Sequence, residues 1–152
     1  MTIAAALLRQ GARDRMVAIL DGFLPEFERV YLGEPGGLPP GTDRGIALWY
    51  LGRDTSQETL GNVMEIRRWR FAVYWRPRLG EAERALLEAA VEETDCDIQE
   101  AFRADSTLGG NVTDLKIRNS EGNIWEPVGE ALYRVLNYEL ELWQFEAEAI
   151  SP

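Results

Sequence analysis

Histidine is absent from all 152 residues. That removes the commonest general base, every Ser-His-Asp type of triad and every histidine metal site. Cysteine occurs once, as Cys96, so neither a disulfide nor a zinc ribbon can form within one chain. The thiol lies in the acidic run Glu92-Glu-Thr-Asp-Cys-Asp97, where neighbouring negative charge raises its pKa and makes it a poor nucleophile. Lysine also occurs once, as Lys116, among 16 basic residues. An arginine bias suits desolvated ion pairs and interfaces, and a GC-rich genome produces the same bias. Long apolar runs are missing too. Ile3 to Leu8 is too short for a signal-peptide core and has no basic patch before it, and no stretch reaches the length of a membrane span.

Positive charge is in short supply: 26 acidic side chains against 16 basic ones give a net charge of −10. Unguided binding to nucleic acid or to an anionic membrane is therefore disfavoured. Apolar residues at 45% and charged residues at 28% are ordinary for a globular protein. The length fits one domain, residues 1–152.

Along the chain, the spacing of Leu8, Ala12, Met16, Ile19 and Phe23 predicts a helix from Thr2 to about Phe23, weakened at Gly11 and Gly22. Residues 34–45 carry four glycines and three prolines and read as a loop. Two strands follow, Gly45 to Leu51 and Asn62 to Arg76, paired antiparallel across a polar link from Gly52 to Gly61. In the second, alternation sends Arg67, Trp69, Phe71, Val73 and Trp75 to one face and Ile66, Arg68, Arg70, Ala72 and Tyr74 to the other. Its end near Trp75 is expected to enter the core and its charged end near Met64 to project. A strong amphipathic helix is expected from about Glu81 to Arg103, with Leu87, Val91, Thr94, Ile98 and Phe102 as its buried stripe.

Downstream, Asn111 to Asn119 and Ile124-Trp125 are expected to pair as a small hairpin about a turn at Ser120 to Asn123. The clean alternation of Ala131 to Trp143 marks a final strand, and the acidic residues 145–152 are expected to fray. Together these give an α+β class: a mainly antiparallel sheet of four to five strands with two helices packed on it, in a single domain.

No phosphate-binding glycine loop or dinucleotide fingerprint is present, paired carboxylates converging from different elements stay open as a formal catalytic option, and no cofactor or metal is expected. Glu88, Glu92 and Asp95 lie on the helix face opposite the apolar stripe. Three carboxylates at that spacing suit a cation or a mimic of a phosphate backbone, and equally the solvated face of any amphipathic helix. The five tryptophans are the notable positive feature, because tryptophan beside arginine is the composition of interface centres. Arg67, Arg68, Trp69 and Arg70 are accordingly read as a subunit interface whose acidic counterpart is Glu88, Glu92 and Asp95 of a neighbouring copy. A solvated, charge-guarded sheet edge is the alternative.

Val30-Tyr-Leu-Gly33 with its proline-rich sequel, the long strand Arg67 to Trp75 before a helix, and the closing strand Tyr133 to Trp143 stand in a particular order. In that order of elements, from about Ile3 to Trp143, the chain resembles the tail terminator proteins of long-tailed bacteriophages. The resemblance implies a virion structural protein and not an enzyme. It implies a homohexameric ring at the tail-head junction, assembled in the host cytoplasm, that caps the tail tube protein and meets the head-tail connector. DNA would then be a transiting genome in an acidic channel, without sequence-specific binding and without a membrane. Alternatives are a neck or tail-completion protein of the same particle, or a small acidic regulatory module that occludes a basic partner.

Overall fold

A computed structural model describes residues 3–24, 26–33, 42–59, 62–77, 81–120, 124–128 and 131–147. Helix α1 (Ile3–Asp21) is followed by strands β1 (Val30–Leu32), β2 (Arg44–Thr59) and β3 (Asn62–Trp75), then helix α2 (Glu81–Ala104) and strands β4 (Asp114–Asn119), β5 (Trp125–Val128) and β6 (Ala131–Ala147). The class is α+β, with both helices on one face of a single sheet.

The sheet has six strands in the order β1-β2-β3-β6-β4, with β5 also on β6. The count exceeds the expected four to five because β1, only three residues long, pairs parallel to β2 through Val30↔Ile46 and Leu32↔Leu48. A three-residue strand carries too little alternation to be read from sequence. Among the described residues β4 and β5 do not pair with each other, the expected turn at 121–123 lying outside them: both strands lie antiparallel along β6, β4 against Tyr138 to Trp143 and β5 against Ala131 to Arg134. Pro127 is tolerated in β5 because that strand is an edge and needs no second ladder.

The polar link after Leu51 is also strand. Polar side chains did not end β2, which runs on to Thr59 against β3, and a register shift between Tyr50 and Gly52 absorbs one extra residue. Gly52 supplies that irregularity with φ of 147°, a backbone conformation that side-chain-bearing residues rarely adopt. Strand β6 likewise continues to Ala147 against Asn62 to Ile66, so residues 145–147 are paired and not frayed. The expected loop at 34–45 falls largely on residues outside those described, with Arg44 and Gly45 already in β2. Residues 148–152 also lie outside them.

The main core lies between the helices and one sheet face. Phe71 stacks between Phe102 of α2 and Tyr138 of β6, at ring-centroid distances of 5.4 and 4.5 Å. The stripe Val91, Thr94, Ile98 and Phe102 is buried as the helical spacing predicted. From α1 come Ala12, Met16 and Leu20, while Leu8 faces outward, because the contact rotates about the helix toward its C-terminal half. A second, smaller cluster on the opposite sheet face joins Ala47, Ala72, Tyr74, Tyr133 and Val135. There the Tyr133 hydroxyl donates to the Thr42 carbonyl at 2.6 Å.

The end of β3 near Met64 does not project. Met64, Glu65 and Arg67 are buried, and Arg9 of α1 reaches Glu65 at 3.8 Å. Glu65 and Arg67, on the helix side, become interior where Arg9 of α1 reaches over them and the charges pair.

Candidate functional site

Alternation divides the expected interface residues between the two faces of β3. Arg67 and Trp69 point to the helix side. The Arg67 guanidinium stands 3.6 Å from the Glu65 carboxylate, and the Trp69 ring packs on the main core with Tyr50 tilted against it at 5.3 Å. Arg68 and Arg70 point to the sheet face that no helix covers.

On that uncovered face the strand register builds two cross-strand rows. Arg70 of β3, Glu139 of β6 and Arg118 of β4 stand side by side, and one step along so do Arg68, Glu141 and Lys116. Each row therefore reads cation, carboxylate, cation. The Arg118 guanidinium donates to Glu139 at 3.1 Å, Arg70 lies 3.7 Å from the same carboxylate, and Arg68 bonds Asp54 of β2. That bond, ahead of a smaller opposing desolvation, raises the pKa of Arg68 and keeps it charged. Lys116 also sits 4.1 Å above the Trp143 ring, a cation–π contact that fixes the ammonium over the end of the row. Opposite charges directly across strands contribute about 0.2–1 kcal/mol per pair, so the rows add only modestly to the fold.

The acidic helix face is divided as well. Asp95 is half-buried and Glu88 is exposed, and both tie α2 to β6. Arg134 clasps Glu88 through two bonds of 2.9 and 3.3 Å, and this holds the Glu88 carboxyl below its usual range. Asp95 accepts from the Tyr138 hydroxyl at 2.5 Å and from Gln99 and Asn119 at 3.0 and 3.1 Å. Burial pushes the Asp95 carboxyl upward, and those three donors outweigh it, so its pKa is lowered. Burial, and then the Asp95 bond, push the Tyr138 hydroxyl far above its ordinary range, so it stays protonated as the donor. Glu92 is exposed beside Glu93, and Glu88, although clasped by Arg134, is exposed too. The three carboxylates therefore do not converge, and the described residues contain no cluster that could hold a metal ion.

Desolvation, and then the fields of Asp95, Glu93, Glu92 and Glu100, push the exposed Cys96 thiol up. At neutral pH it is a thiol and not a thiolate.

Glu139, Arg118 and Arg134 carry much of this electrostatics, and sequence reasoning gave them no role. The signal was present as alternation in β6, but their partners follow from register, which one strand's pattern does not contain. Several apolar side chains also stand in water along β1 and β2: Leu32, Tyr50 and Leu51. Compared with known proteins, the chain matches no protein-family model and no curated protein.

Proposed function

We propose that this protein is a ring-forming structural subunit of a phage tail, a tail terminator that caps the tube and meets the head connector. The observation that carries the reading is the uncovered face of β3, β6 and β4. Strands of 14 and 17 residues there present rows of arginine and carboxylate with tryptophan at their margins. Strands in globular proteins usually run about 5–6 residues, and a half-solvated face on strands this long is suited to a partner surface. The order of elements supports the same reading.

The local pairing refines which contacts a neighbour can make. Arg68 and Arg70 already have carboxylates in their own chain, so a neighbour gains from the surplus cation of each row and not from a bare charge. Glu92 and Glu93, exposed on α2, are the acidic counterpart left to offer.

The test reverses Arg68 and Arg70 to Glu and follows both folding and assembly. The expected result is a folded monomer, less stable by about 1–2 kcal/mol from the broken rows, that neither self-associates nor caps tubes. Unchanged assembly by this variant reduces the rows to an edge guard and removes the face from the proposed interface.

A further inference from the structure

Among the described residues two edges of the sheet carry no further strand: the side of β4 away from β6, and the outer side of β2 from Leu51 onward, since β1 covers β2 only from Ile46 to Leu48. The other edges are blunted. Strand β5 carries Pro127, and β1 is three residues long. Ser120 N–H donates to the Asn137 carbonyl, so by alternation the even-numbered residues of β4 bond β6, while Ile117 and Asn119 turn their N–H and C=O groups outward. The Asp114 carboxylate takes the Leu115 N–H at 2.9 Å. On the other edge, Arg76 N–H donates to the Asp43 carbonyl, which puts the even-numbered residues of β3 in bonded pairs with β2. Past the register shift Asp54 therefore bonds Ile66, and Arg53 and Thr55 turn outward. Leu51, Arg53, Asp54 and Thr55 are exposed, as are Lys116, Arg118 and Asn119.

These two edges match each other in direction, in side-chain facing and in charge. Three antiparallel steps separate β2 from β4, so the strands run oppositely, and β4 of one copy meets β2 of the next antiparallel when both copies face the same way. The outward-bonding residues are odd-numbered in both strands, with side chains on the helix side, so pairing them keeps Lys116 and Asp54 together on the uncovered face. Across one copy the charges of that face run Asp54, Arg68, Glu141, Lys116, negative at the β2 edge and positive at the β4 edge. Joining unlike edges continues the alternation, whereas β4 against a second β4, centred on Lys116 or Ile117, sets Lys116 against Lys116 or Arg118. We infer that β4 of one copy pairs antiparallel with the exposed length of β2, Leu51 to Thr55, in a second copy, with Lys116 opposite Asp54. The sheet then runs unbroken from copy to copy, the mode by which an extended segment adds to an open edge. This rests on the self-association proposed above and specifies the contact behind it.

The experiment is disulfide trapping in the full chain with Cys96→Ser, carrying Asp54→Cys and Lys116→Cys together or singly, alone and with tail tubes, read on non-reducing gels beside native mass spectrometry. Opposed positions in a non-hydrogen-bonded antiparallel pair have Cα atoms about 4.5 Å apart, within disulfide reach. Within one copy β3 and β6 hold the two positions about 14 Å apart or more, beyond that reach. The expected result is covalent multimers from the double variant and none from either single variant, with the yield falling at least about tenfold when Thr55→Cys, on the other face, replaces Asp54→Cys. Amide exchange of the unmodified chain gives a second reading: the Ile117, Arg53 and Thr55 N–H groups are expected to slow at least about tenfold between dilute and assembled protein. Multimers without cross-links, or amides whose exchange is unchanged on assembly, would overturn the edge pairing and leave self-association standing. Cross-linked dimers from Lys116→Cys alone would show β4 pairing with β4 and overturn it too. A chain that stays monomeric with and without tubes, and gives no cross-link, overturns both.

Discussion

Phe102 and Cys96 lie six positions apart on α2 and differ completely in what they contribute. Phe102 is fully buried and stacked on Phe71, whereas Cys96 is exposed. Phe102→Ala is expected to cost about 3–5 kcal/mol through lost burial and a cavity, whereas Cys96→Ser is expected to stay within about 0.5 kcal/mol. Thermal melts of the two variants decide it, and a Cys96→Ser variant that kept its fold but lost function would show a role for the thiol. Both assignments were legible in the sequence, because a helical stripe fixes which positions face in without reference to any other element. The interface arginines were legible only as residues on alternating faces. That Arg70 would meet Glu139, or that Glu65 would be buried beneath Arg9, depends on register and on where α1 lies, which no single segment encodes.

The attachment of α2 to the sheet rests on polar contacts as well as on the apolar stripe. Glu88 holds Arg134, and Asp95 gathers Tyr138, Gln99 and Asn119. Asp95→Ala leaves the buried Tyr138 hydroxyl without its acceptor and is expected to cost about 1–3 kcal/mol. Tyr138→Phe in that background should cost little more, since the bond is already gone. Asp95, Glu88 and Asp105, the last held low first by its bond from Arg15, all have folded pKa values depressed below the ordinary carboxylate range. Their contribution is thus complete above the unfolded pKa, near 4, and is lost as pH falls through the folded values. Urea titrations from pH 6 down to about pH 2 should show stability falling below pH 4, with a shallower fall in Asp95→Ala. An unchanged slope in that variant would remove Asp95 from the clamp. Both long helices were readable from sequence, and so were the central strands. The continuation of β2 and β6 was not, because their polar outer ends are held by neighbouring strands and by α1, an override of local propensity by tertiary pairing.

The molecule as a whole is a sheet with one face covered by helices and the other patterned with charge. Strand β6, about 55 Å long at 3.3 Å per residue, joins every layer of it. Fold class followed from the succession of periodicities, while the strand count and the fate of β4 and β5 required the ladder itself. A sheet with this uncovered face, with Leu32, Tyr50 and Leu51 exposed at the β1–β2 side and Glu92 and Glu93 exposed on α2, offers different surfaces on different sides, which on the proposed reading would meet in neighbouring copies. Such heterologous surfaces join copies head to tail and close into a ring when the rotation permits. Native mass spectrometry of the full chain, alone across concentrations and then with tail tubes from the same particle, measures this directly. A ring-forming terminator gives one closed stoichiometry, in solution or at the tube tips, with no ladder of intermediate sizes. A strict monomer that never binds the tubes would contradict it.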